Sequence, residues 1–137
     1  MAQQNIPEIR RRCRDIEELL SPVTQQLVMA YHARDNDHAK TMLKNLAQFL
    51  TMKAVTDDVK SASSYSPPPE VDVAWRQLLL NPVLYNRVCF TACGQLIDYD
   101  PFWSTRGDEA VRLTQRFATM SKLKSLFGGG GGDASEL

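Results

Sequence analysis

Excess charge of either sign is missing from this sequence: sixteen basic residues face sixteen acidic ones across 137 positions. A balanced chain gains no long-range attraction to nucleic acid or anionic lipid, and those partners fall in rank. Long apolar runs are missing as well, with none approaching the roughly 18 residues of a membrane-spanning helix. The first twenty residues, MAQQNIPEIRRRCRDIEELL, contain no apolar stretch of a secretory signal. They carry the arginines of an organellar leader, but Glu8, Asp15, Glu17 and Glu18 are out of place in one, and no cleavable leader is expected. Cysteine is scarce and odd in number, three in all, which fits a reducing compartment better than a disulfide framework. Cytoplasm is the default compartment, and organellar import without a cleaved leader, mitochondrial import included, is the alternative. Only two histidines occur, His32 and His38, with no acid–base partner close by in sequence. They read as surface residues. No G-x-S-x-G, no phosphate-cradling glycine loop and no H-E-x-x-H is present.

What is there is apolar periodicity. Hydrophobic residues make up 43% of the chain and charged ones 23%, the usage of one globular domain that folds without staples. Ile9, Cys13, Ile16 and Leu20 form the stripe of a first helix. Ser21-Pro22 reads as a cap and a first-position proline, opening a second helix with Val23, Leu27, Ala30 and Tyr31 inward. Asp35-Asn36-Asp37 starts a longer third helix, with Ala39, Met42, Leu46, Phe49, Leu50 and Lys53-Ala54 on or near its buried stripe. From Thr56 to Pro69 serines and a triple proline end the pattern, which predicts a surface crossing between two helical halves, about 6–55 and 69–127. Val71, Trp75, Leu78 and Leu79 define a fourth helix, and Asp72 and Arg76 pair along it at i, i+4. Asn81-Pro82 turns into a fifth, with Leu84, Val88 and Ala92 inward, so the two form an αα-hairpin. Gly94 stops it, an aromatic-rich connection follows, and a last helix from about Asp108 to Phe127 places Val111, Thr114, Phe117 and Met120 on one face. The fold expected is all-α: a single compact bundle of about six helices over residues 1–127, then a glycine-rich C-terminal tail over 128–137.

Three groups of residues could carry chemistry. Cys89 and Cys93 share a helix face and could supply half of a zinc site, but Cys13, His32 and His38 are in no recognised spacing to complete it. Core thiols are the preferred reading, no metal or cofactor is expected, and no residue is assigned a catalytic role. Arg10, Arg11, Arg12 and Arg14 form the one basic run. It reads as a solvated face with Glu8 placed to pair with Arg12, or as a contact for an acidic partner. Basic residues crowd the start of this helix and acidic ones its end, against the macrodipole, at a cost of roughly a few tenths of a kcal/mol per exposed charge. Phe102 and Trp103 are natural interface anchors, and Gly128, Gly129, Gly130, Gly131 and Gly132 would be ordered only in a neighbour's groove.

One block is distinctive. Phe49-Leu50, Lys53-Ala54, Ser66-Pro67, Val71-Asp72, Trp75, Pro82, Tyr85, Cys89 and Ile97-Asp98-Tyr99-Asp100-Pro101 together resemble the helical N-terminal region of plant-type glycine-rich domain-containing proteins and related protist sequences. The resemblance covers about 50 of the 137 residues. That family's pattern runs Val-Asp-x-x-Trp-His-x-His, Pro-x-x-Tyr-x-x-x-Cys, a glycine, then Ile-Asp-His-Asp. Asp72, Trp75, Pro82, Tyr85 and Cys89 match it without a gap, as a structural set. The three histidines are replaced by Arg76, Leu78 and Tyr99, so any metal or ligand held by those imidazoles is lost here.

These readings favour a non-catalytic interaction module or accessory subunit of a larger protein assembly, mitochondrial and other organellar complexes included, with protein partners, no direct nucleic-acid contact and no transmembrane segment. The alternative is a small ligand- or metal-binding domain or enzyme descended from a histidine-bearing ancestor.

Overall fold

Apolar residues three and four apart decide where this chain coils; prolines, aspartates and one glycine decide where it stops. The structure, a computed structural model, describes residues 5–60, 65–101 and 108–128. Its helices are α1 (Ile6–Leu19), α2 (Val23–Met29), α3 (Asn36–Val55), α4 (Pro69–Leu79), α5 (Pro82–Cys93) and α6 (Glu109–Phe127), with no strand among the described residues. None is long and apolar enough to cross a membrane.

Three helices start on a side-chain cap. Asn5, Asp35 and Asp108 each accept an otherwise orphaned N–H, from Glu8, His38 and Val111. Two others, α4 and α5, open on Pro69 and Pro82, whose missing N–H costs nothing in a first turn. Gly94 ends α5 at φ 75°, a left-handed conformation that glycine adopts without a Cβ clash. Two other helices stop in the same conformation on larger residues, Tyr31 at φ 62° and Asp57 at φ 57°. In both, paired backbone bonds close the end: His32 N–H to Leu27 and Tyr31 N–H to Val28, then Asp58 N–H to Lys53 and Asp57 N–H to Ala54.

The central element is α3, which packs against each of the other five helices. Its burial follows: Leu46, Ala47, Phe49, Leu50, Thr51 and Met52 are all fully enclosed although they point in different directions around the axis. Buried residues of both sequence halves, from Ile9 to Leu126, belong to one core cluster.

Four details depart from the sequence reading. Ser21 does not cap α2; the cap position is Pro22, without a side-chain bond. The backbone closes that turn instead, through Val23 N–H to Leu20 and Thr24 N–H to Ser21. Ala30 and Tyr31 are not inward: α2 has ended by then, and the reversal leaves Tyr31 94% exposed. The segment after Thr56 is not a plain surface crossing, because Asp58, Val59, Ser66, Pro67 and Pro68 are buried. Asp98 N–H donates to Val59 O at 2.8 Å and Thr119 Oγ1 to Ser66 O at 3.1 Å, so the segment is covered from two sides. Finally, the buried face of α6 is Thr119, Leu123 and Leu126, while Val111, Thr114 and Phe117 are exposed. The tight contacts of α6 lie in its C-terminal half, and the position of its neighbours overrides the first half's own pattern.

Candidate functional site

The i, i+3 and i+4 spacing of Asp72, Trp75 and Arg76 places them on neighbouring positions of α4. The Asn81-Pro82 turn then folds α5 back so that Tyr85 reaches the indole. Trp75 Nε1 donates to the Tyr85 hydroxyl at 3.1 Å, and that hydroxyl donates to Ile97 O. Ile97 N–H in turn donates to Cys89 Sγ at 3.4 Å. The segment after Gly94 is thereby fastened to the hairpin, and it brings Tyr99 against the indole. Trp75 is edge-on to Phe49 at 5.6 Å and to Tyr99 at 4.8 Å between ring centroids. Tyr99 donates to Asp72 Oδ1 at 2.8 Å, and Arg76 Nε lies 3.2 Å from Asp72 Oδ2 as an ion pair.

Trp75, Tyr85 and Cys89 are therefore linked through Ile97, Asp72 joins them through Tyr99, and Pro82 opens α5. Trp75 is 2% exposed and hydrogen-bonded to Tyr85, as a hairpin anchor should be. The three positions at which the resembled family has histidine are also placed. Leu78 is wholly buried in the core, while Arg76 and Tyr99 both serve Asp72. Burial, then the neighbouring Cys89, pushes the Tyr85 phenol far above its ordinary range. Burial and the Asp72 carboxylate do the same to Tyr99. Both phenols stay protonated near neutrality, as hydrogen-bond donors.

Beneath this cluster lies a pair that periodicity did not reveal. Lys53 is buried, with Nζ 2.7 Å from Asp58 Oδ2, 3.2 Å from Tyr65 O and 5.5 Å from the Phe49 ring centroid. Tyr65 N–H also donates to Asp58 Oδ2 at 3.2 Å. The ion pair clasps both ends of the segment between α3 and α4. Burial lowers the Lys53 pKa, and the carboxylate beside it opposes that shift. The one available signal was an acid five residues after an inward lysine.

The basic run is divided among several tasks. Arg12 Nη1 donates to Ala92 O at 2.9 Å, and Arg10 Nε to Leu126 O at 3.3 Å. These are carbonyls in the last turns of α5 and α6, where a cation complements the helix dipole. Arg11, not Arg12, pairs with Glu8, because Arg12 is directed at α5. Arg14 lines an open groove of about 360 Å³ with Glu17, Glu18, Lys40 and Leu43.

Among the thiols, Cys13 and Cys89 are buried, Cys93 is half-buried, and all three are free. His32 is exposed. His38 is not a plain surface residue: its ring is largely enclosed, Nδ1 accepts Arg34 N–H at 3.0 Å, and Nε2 lies 2.8 Å from Glu70 Oε2. The acid comes from the first turn of α4, 32 positions away, out of reach of local sequence. Phe102, Trp103 and Gly129 to Gly132 lie outside the described residues; Gly128 closes α6 at φ −92°. Among the described residues no three His, Cys, Asp or Glu side chains converge on a point that could hold a metal. Comparison with family models, curated proteins and solved structures finds no match to this chain.

Proposed function

We propose that this chain is a non-catalytic interaction module, an accessory subunit of a larger protein assembly. The observation that carries the reading is the placement of large apolar side chains on the outside of the last two helices. Val83 is 73% exposed, Phe90 60% and Phe117 68%, with Val111 and Leu113 near half. Single exposed apolar residues are ordinary; several on neighbouring turns of one helix are the mark of a surface meant to be covered. The Trp75 cluster supports the same reading from the inside. Its indole N–H, its buried phenol and both oxygens of Asp72 have partners within the chain, which suits a scaffold.

The test is purification of the tagged chain from its own cells, with and without chelator, followed by native mass measurement. A subunit brings stoichiometric proteins with it, and chelator leaves them bound. A lone chain carrying one equivalent of metal or of a small molecule would replace this reading with the ligand-binding one.

A further inference from the structure

We infer that the outer face of α5 is a docking seam for an amphipathic helix of another protein, one that sets a carboxylate opposite Arg87. The inference rests on the interaction-module reading and names the face and the partner's chemistry. Val83, Arg87, Phe90 and Gly94 follow one another at spacings of four, three and four, the alternation by which one helix presents a continuous seam to another. Leu80, three residues before Val83 and 68% exposed in the preceding turn, extends the apolar character. Tyr85, Val88, Cys89 and Ala92 occupy the opposite side and are buried, so the exposed row is a second, separate face of the same helix. At the far end, a Cβ built on Gly94 meets nothing within 4 Å, so a partner helix can approach the backbone closely there.

Charge selects the occupant. Arg87 is exposed in the middle of the row and makes no hydrogen bond or ion pair among the described residues. No acidic residue occurs in α5 at all, so nothing on this helix complements it. A single charged residue inside an apolar seam fixes register and partner when the facing helix supplies the opposite charge. A basic surface is repelled by Arg87, an uncharged apolar helix leaves it unpaired, and a nucleic acid, whose phosphates could pair with it, has no apolar face to bury on Val83 and Phe90. An apolar helix with one Asp or Glu at the matching position gains both burial and the pair.

The experiment places a photo-crosslinking phenylalanine analogue at position 90, and separately at 117, in the full chain expressed in its own cells, and maps the crosslinked peptides. The expected product at position 90 is one partner peptide of helical apolar periodicity with a carboxylate within one turn of the crosslink. Arg87→Glu is then expected to weaken that complex on the order of tenfold or more, and reversal of the partner's acid to lysine to restore it. Far-ultraviolet circular dichroism of Arg87→Glu shows that the helices are kept. Crosslinks at 90 to a second copy, to residues 102–107 of this chain, or to a segment without a carboxylate overturn the inference, as does a charge reversal without effect. Partner capture at 117 with none at 90 overturns the seam while leaving the interaction module standing; capture at neither position removes both.

Discussion

Trp75 meets the rings of both Phe49 and Tyr99, and its one polar atom reaches Tyr85. Its truncation to alanine removes both ring contacts and opens a cavity between α3, α4 and α5. Trp75→Ala is expected to cost about 3–5 kcal/mol in urea unfolding, and Tyr85→Phe about 1–3 kcal/mol because it orphans the indole N–H and the Ile97 carbonyl. A second prediction belongs to Cys13, whose thiol is pushed up by burial from 9.0 to about 11. The folded chain holds that proton more tightly than the unfolded one. The associated stability is therefore complete below pH 9 and is lost as pH rises toward 11, amounting to about 3 kcal/mol. Unfolding curves between pH 8 and 11 are expected to flatten in Cys13→Ala; an unchanged slope would mean that the thiol is not enclosed. The Trp75–Tyr85 pairing was legible because the Asn81-Pro82 turn leaves the hairpin few ways to close. Ile97 as the acceptor, and Glu70 as the partner of His38, were not, since both depend on where a distant segment comes to rest.

Helix ends, too, depend on segments distant in sequence. The arginines of α1 oppose that helix's own dipole, and from sequence this hinted only at an external partner. With α5 and α6 in place, Arg12 and Arg10 reach the C-terminal carbonyls of two other helices, where positive charge is favourable. Arg12→Ala is expected to lower stability by about 1–2 kcal/mol through the lost charge-assisted bond. Arg11→Ala, which removes an exposed pair with Glu8, leaves the unfolding midpoint unchanged. The segment joining α3 to α4 has its own element-scale test in Lys53 and Asp58. Asp58→Ala strands a buried ammonium and is expected to cost about 3–5 kcal/mol, while the double change Lys53→Met, Asp58→Leu recovers most of it. Equal losses in the single and double variants would show that the pair itself, not the uncompensated charge, holds the segment. Helix starts were largely legible, because Asp35, Asp108 and the prolines act locally. The buried face of α6 was not, because its sequence carries two apolar faces and only the position of α1 and α3 chooses between them.

For the whole molecule, five helices gather around α3; of the large apolar residues left exposed among the described residues, Val83, Phe90, Val111, Leu113 and Phe117 lie on α5 and α6, and Met29, Tyr31, Leu80 and Leu96 lie elsewhere. Helical class and the two-part order of the chain follow from periodicity, which any single-sequence reading can reach. The exposed rows do not stand out that way: Val83 and Phe90 look as inward as Leu84 and Val88 until one side of α5 is seen to be covered. In the function proposed above, other proteins cover the exposed apolar faces of α5 and α6. Its most direct test is the native mass of the species containing this chain in extract of its own cells, by mass photometry or native mass spectrometry after gentle tag purification. A stoichiometric complex several times heavier than the 15.4 kDa chain is expected, reduced by Phe90→Asp or Phe117→Asp. A homogeneous 15.4 kDa species that co-purifies with no other protein would contradict it.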